Sequence, residues 1–124
     1  MVTEQLSRLC RTSHRSVSWT RCAPARHADA DGIRAWSVFT PATDQWTHLV
    51  GVYDAPDGQM LLYVNGALEG TAIDNTPFAG NGGIVIGRAE DNGQRVDWFP
   101  GTITDVEVFQ QALTPGQVGA LSGP

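Results

Sequence analysis

Lysine is absent from the 124-residue chain, and all eight basic residues are arginine. The glycine-rich run at residues 80–83 therefore lacks the Gly-Lys-Ser/Thr ending of a phosphate-binding loop, and it also precedes a strand-like stretch rather than a helix. No apolar run approaches the ~20 residues that a membrane span needs. The content of glycine, proline and charged residues excludes collagen, a coiled coil and a fully disordered chain. The length allows one domain.

The charges are distributed unevenly along the chain. Residues 1–28 contain five arginines and one acid, a net charge of +4, whereas residues 29–124 contain three arginines and twelve acids, a net charge of −9. We interpret residues 1–28 as a basic, poorly ordered segment and residues 29–124 as the folded domain. The alternative is that the basic segment binds an anionic partner. The acidic body would repel phosphates, so nucleic acid is not predicted as a partner.

The first twenty residues lack the apolar run of a secretory signal. This predicts a cytoplasmic protein if Met1 is the true start, and otherwise a piece of a longer precursor. Three states of Cys10 and Cys22 stay open. The two residues are free thiols in the cytosol or form a disulfide in an exported chain. Alternatively they bind zinc together with His14 and His27, although the spacing of these four residues differs from that of the usual zinc fingers.

Short β-rich runs separated by turn residues predict an all-β antiparallel sandwich or barrel. The predicted strands are residues 17–19, 33–39, 45–53, 59–64, 67–73, 84–86 and 102–109. Asn65-Gly66 predicts a type I′ hairpin turn, residues 88–97 are predicted to be a polar loop, and Trp46 is predicted to lie in the core. Thr114-Pro115-Gly116-Gln117 predicts a capping box that starts a short C-terminal helical turn.

Several of these runs together resemble a known family. Residues 46–54 (WTHLVGVYD) and 61–66 (LLYVNG) are similar to the central hairpin of LamG-like jelly-roll domains, in the concanavalin A-like lectin/glucanase superfamily. Further similar runs follow in the same order, at residues 84–88 (IVIGR), 101–109 (GTITDVEVF) and 111–114 (QALT). The resemblance covers the C-terminal portion of such a domain. It implies an incomplete sandwich, which is a fragment, a truncated reading frame, or a unit whose open sheet edge another chain, such as a second copy, completes.

The resemblance implies a secreted, non-catalytic module that recognises carbohydrate, as a polysaccharide or on a glycoprotein, or an extracellular protein. Tryptophan can stack on a sugar ring while its N–H forms a hydrogen bond. Trp98 stands at the end of the predicted polar loop and is the best candidate platform, and Trp36 and Arg88 are further candidate ligand-binding residues. The alternative for Trp98 is packing as a lid on the sheet.

Relatives of this kind often hold calcium on a loop rim. Calcium prefers six to eight oxygen ligands from carboxylates, amides and carbonyls. The densest group of such residues comprises Glu90, Asp91, Asn92 and Asp97. These residues are the candidate calcium ligands, and ordinary turn chemistry is the alternative explanation of them.

Related glucanases use paired carboxylates, and here Asp105 and Glu107 would share one face of a strand. The third acid of the glucanase E-x-D-x-x-E motif is missing, because Phe109 follows and Thr104 precedes the pair. We therefore predict no catalytic residues. The rival interpretation is a remnant or part of a glycoside hydrolase.

Overall fold

The computed structural model describes residues 18–20, 34–38, 42, 45–75, 86–91, 93–96, 98–99 and 101–123. These residues form seven short strands and one helix. In chain order they are β1 (Ser18–Thr20), β2 (Arg34–Trp36), β3 (Leu49–Asp54), β4 (Gln59–Val64), β5 (Ala67–Ile73), β6 (Ala89–Asp91), β7 (Gln94–Val96) and α1 (Pro115–Leu121). The architecture is mostly β and antiparallel with one short helix, as predicted for an incomplete jelly roll.

Strands β3, β4 and β5 form an antiparallel meander in that order. The predicted bounds of β4 and β5 are confirmed. Both residues of the turn between them have positive φ, 50° at Asn65 and 82° at Gly66, as a type I′ turn requires. Asn65 also ties this turn to the start of β3, because its Oδ1 accepts from the His48 N–H at 2.9 Å and its N–H donates to the His48 carbonyl at 2.8 Å.

The alternating side chains of β4 give the sheet two apolar faces. Face A carries Tyr53, Met60, Leu62 and Val64, which pack with Ala35 of β2. Face B carries Val52 and Tyr63, which pack with Leu113 and with Val118 of α1. The sheet is thus covered by β2 on one side and by the C-terminal helix on the other. This two-sided burial explains why the β4 sequence is almost continuously apolar.

A β-bulge interrupts the pairing of β4 with β5. Leu62 lies opposite Gly70 and Tyr63 lies opposite Leu68, so Glu69 is the extra residue. Its Oε2 accepts a hydrogen bond at 3.3 Å from the hydroxyl of Ser37, which is buried. The bulge therefore links β5 to the segment that follows β2.

The turn between β3 and β4 requires glycine at position 58. Gly58 has a φ of 63°, and its carbonyl accepts from the Asp74 N–H at 2.7 Å. A Cβ at this position would lie 2.9 Å from the Asp74 carbonyl oxygen. The same oxygen accepts from the Tyr53 hydroxyl at 3.1 Å. Residues 53, 58 and 74 thus form one tightly packed, hydrogen-bonded corner.

Helix α1 begins with the predicted capping box. The Thr114 hydroxyl accepts from the Gln117 N–H at 3.3 Å, and the Gln117 side chain accepts from the Thr114 N–H at 2.9 Å. The other end of the helix lies against the hairpin turn, because a Cβ on Gly66 would be 2.6 Å from the Ser122 hydroxyl. The cap and the turn together position Val118 on face B.

Replacing Thr114 with alanine is expected to lower the free energy of unfolding by about 1 kcal/mol, since the first turn loses its cap. Thr114→Ser is the matched control, because serine keeps the accepting oxygen and is expected to retain most of the stability. Urea titration followed by circular dichroism measures both variants. Equal midpoints for wild type and Thr114→Ala would contradict a role for the cap.

Two predictions about strands and loops are wrong, and a third, the strand at residues 84–86, is contradicted at Ile86 alone. Residues 102–109 form no strand, and all of them are exposed. Ile86 is exposed and outside any strand, whereas residues 84–85 lie outside the described residues. Part of the predicted polar loop is instead a hairpin of β6 and β7, with Ala89 opposite Val96. Polar strands pair here around Gly93, whose φ of 77° suits a tight turn.

The N-terminal strand pair bears on the predicted division of the chain. Strand β1 lies one residue later than predicted and pairs with β2, with Trp19 opposite Ala35. The rest of residues 1–28 lies outside the described residues. The boundary between residues 28 and 29 stays a prediction.

Candidate functional site

The base of the β6–β7 hairpin brings together two of the three predicted ligand-binding residues. Arg88 immediately precedes β6, and Trp98 follows β7. The N–H of Phe99 donates to the carbonyl of Gly87 at 2.8 Å, so the residues next to Trp98 and Arg88 are bonded to each other. The two candidates therefore stand on adjacent segments.

Of the two adjacent aromatic residues at positions 98 and 99, the first is exposed to solvent and the second is half-buried. Trp98 is 63% exposed, so its ring is open to solvent rather than packed as a lid on the sheet. Phe99 is half-buried and lies over Gly101, where a Cβ would be 2.9 Å from the Phe99 ring. Phe99 and Gly101 anchor the segment that presents Trp98.

Arg88 gives this surface a cationic donor. The residue is half-buried and engaged with the rest of the fold. A guanidinium carries five N–H donors in a planar fork, which suits hydroxyl and carboxylate oxygens. Trp98 and Arg88 thus supply an exposed aromatic residue and a hydrogen-bond donor on two backbone segments that are bonded to each other, and we call this pair the hairpin-base surface.

The other predicted site residues are less fully placed. Trp36 lies in β2 opposite Ser18, and only its backbone position is described. Glu90 and Asp91 lie in β6, whereas Asn92 and Asp97 lie outside the described residues. Within the described ranges, no three side chains of histidine, cysteine, aspartate or glutamate gather as a metal site would require. The calcium site stays a prediction, and no step of the proposed function depends on it.

The cysteine pair is likewise untested. Cys10 and Cys22, with His14 and His27, lie outside the described residues. Free thiols, a disulfide and a zinc site therefore stay open as alternatives for these residues.

The two acids of the rival hydrolase interpretation lie on the exposed 101–110 segment. Asp105 has a φ of 52°, in the left-handed region, and both Asp105 and Glu107 are exposed. Because the segment is not a strand, the alternation that would place both carboxylates on one face is absent. Asp105 and Glu107 are therefore not a paired, partly buried set of carboxylates of the kind that glycosidases use.

Trp46 is the aromatic residue that the sequence interpretation placed wrongly. It was predicted to be core, but it is 70% exposed because β3 begins three residues later, at Leu49. His48 is held through its backbone by Asn65, while its ring Nδ1 is buried without a hydrogen-bond partner in the described part of the chain. Strands β3 and β4 can pair only as far as the Asn65-Gly66 turn. Counting back from that turn in the sequence would have placed Trp46 outside the sheet.

Residues 17–119 match the Laminin_G_3 family, described as the concanavalin A-like lectin/glucanase superfamily. This chain belongs to that superfamily. The predicted resemblance is confirmed, and the match begins well before residue 46, where the first similar run in the sequence starts. No curated protein matches the chain.

One solved structure has a fold similar to that of this chain. It is the 2.1 Å crystal structure of an S-layer domain-containing protein from Clostridium thermocellum, which superposes with a TM-score of 0.57 at 17% identity. The superposition covers 99% of this chain but 64% of that one, so the present superfamily member spans less than two thirds of the solved structure. At this identity the likeness concerns the fold alone.

The single helix found in the described part of this superfamily member is too short and too polar to cross a membrane.

Proposed function

We propose that this domain is a non-catalytic recognition module that binds carbohydrate, as a polysaccharide or on an extracellular glycoprotein, through its hairpin-base surface. The observation that carries the proposal is the exposed side chain of Trp98 on a segment that the Phe99–Gly87 backbone bond ties to the segment carrying Arg88. An indole face packs well on the C–H face of a sugar ring, and the guanidinium of an arginine on the neighbouring segment can donate to sugar hydroxyls or to a uronic acid carboxylate.

Two further observations support this proposal. The superfamily description names lectins beside glucanases, and the S-layer domain-containing protein with a similar fold comes from a class named for a cell-surface layer. Both agree with an extracellular recognition role. The exposed positions of Asp105 and Glu107 favour binding over hydrolysis.

The test is binding of the purified chain to a panel of neutral and uronic acid-containing polysaccharides by affinity electrophoresis. Trp98→Ala is expected to weaken binding at least about tenfold, which is about 1.4 kcal/mol. Trp46→Ala is the matched control, because it removes a similarly exposed tryptophan that is not part of the hairpin-base surface. Binding that is equally affected by both variants, or absent from the wild type, would contradict the proposal.

The hydrolase alternative is decided by the same panel. Release of reducing ends by the wild type, lost in Asp105→Asn with Glu107→Gln, would establish a glycoside hydrolase and overturn the non-catalytic assignment. We expect no release from either protein.

A further inference from the structure

The turn between β4 and β5 contains an asparagine followed directly by a glycine, Asn65-Gly66. In such a pair the backbone nitrogen of the glycine attacks the side-chain amide carbon readily, because glycine has no Cβ to obstruct the approach. The bond from this nitrogen to Cγ forms, the Cγ–Nδ2 bond breaks, and the amide nitrogen leaves as ammonia with the proton that the glycine nitrogen loses. Water then opens the succinimide ring to aspartate or isoaspartate.

Solvent access does not limit this reaction at Asn65. The residue is exposed, so the water that the reaction consumes reaches it. Its side chain is nevertheless held, because Oδ1 accepts from the His48 N–H at 2.9 Å. Its backbone is held as well, because the Asn65 N–H donates to the His48 carbonyl at 2.8 Å. The conformation of the turn therefore controls whether the amide reacts.

The native turn also keeps the attacking nitrogen in the wrong place. Asn65 and Gly66 have φ values of 50° and 82°, the left-handed backbone of a type I′ turn. A succinimide ring requires a different ψ at the asparagine, together with rotation of its side chain away from the His48 N–H. Helix α1 restricts such motion, since a Cβ on Gly66 would lie 2.6 Å from the Ser122 hydroxyl.

We propose that Asn65 is a latent modification site, which loses ammonia through a succinimide when the β4–β5 turn opens and which the native contacts keep unreacted. The rate of conversion is then the rate in an open chain multiplied by the fraction of molecules that are open at this turn. Conversion of Asn65 is thus a chemical record of how often the hairpin opens.

The experiment compares the full chain with a free peptide of residues 63–68 (YVNGAL), which contains neither His48 nor α1. Both are incubated in the same mildly alkaline buffer, and peptide mapping by mass spectrometry follows the aspartate and isoaspartate forms of residue 65. The folded chain is expected to convert at least about tenfold more slowly than the peptide, because the two bonds to His48 have to break first.

A second comparison in concentrated urea separates the fold from the local sequence. The unfolded chain is expected to convert at the same rate as the peptide in the same urea solution. Equal rates for the folded chain and the peptide in buffer would overturn the proposal. An unfolded chain that still reacts more slowly than the peptide would overturn it too, since the protection would not come from the turn. Glycan binding plays no part in these measurements, so their outcome is independent of the proposed function.

Discussion

Replacing Leu62 with alanine is expected to lower the free energy of unfolding by about 2–5 kcal/mol. Leu62 is fully buried at the centre of β4 and packs on face A with Tyr53, Met60 and Ala35. Alanine removes the buried apolar surface and leaves a cavity between the sheet and β2. Because the free energy of unfolding of a domain is about 5–15 kcal/mol in total, this loss is a large part of its stability.

Leu68 offers the matched control for this substitution. It lies on the neighbouring strand β5 and is half exposed, so Leu68→Ala removes the same atoms from a far less buried position. Urea unfolding of both variants, followed by tryptophan fluorescence and circular dichroism, measures the difference. A midpoint for Leu62→Ala close to that of Leu68→Ala would mean that face A is not a packed core.

Replacing Gly58 with alanine is expected to have the second largest effect. The left-handed backbone alone costs a non-glycine residue about 1–3 kcal/mol. The new Cβ would also lie 2.9 Å from the Asp74 carbonyl oxygen, a backbone atom that the Tyr53 hydroxyl holds in place. Relief of that contact has to move the end of β5, so the β3–β5 sheet is destabilised as a whole.

Gly119 is the control for Gly58 and is expected to respond in the opposite direction. It lies in α1, and a Cβ there would meet nothing within 4 Å. Gly119→Ala should therefore stabilise the domain by about 0.5–1 kcal/mol through helix propensity. Thermal unfolding of the two variants shows directly whether each substitution raises or lowers the stability of the domain. A melting temperature for Gly58→Ala at or above that of the wild type would refute the packed corner.

The parts of the fold that the sequence predicts are those fixed by local chemistry. Strands β4 and β5 agree with the predicted bounds because Asn65-Gly66 allows one tight turn and sets the register on both sides. Helix α1 follows from the capping box at Thr114, whose hydrogen bonds involve residues three apart. In both places a few neighbouring residues determine the structure.

The parts that sequence patterns miss depend on a distant neighbour. Residues 102–109 have the same β-rich composition as β4, but a strand exists only where another backbone supplies hydrogen bonds. Trp46 has an apolar side chain like that of Val52, yet it lies before the point where β3 begins to pair. Strand propensity is a property of the segment, whereas pairing and burial are properties of the whole fold.

The candidate site shows the same division. The exposed end position of Trp98 follows from its place after a polar stretch, so the sequence could find it. Its proximity to Arg88 depends on the β6–β7 hairpin, which the sequence interpretation missed because both strands are polar. The dipeptide Asn92-Gly93, of the same type as Asn65-Gly66, was the available signal for that hairpin.

The consecutive order of β3, β4 and β5 has a consequence for how the chain reaches its native state. Each strand pairs with the next one along the chain, so the loops that must close are short and their closure entropy is small. Such low contact order favours rapid folding. During synthesis on the ribosome, all three strands emerge before α1 is made. We expect this meander to act as the folding nucleus, with the late-arriving helix closing face B in a final, separate step.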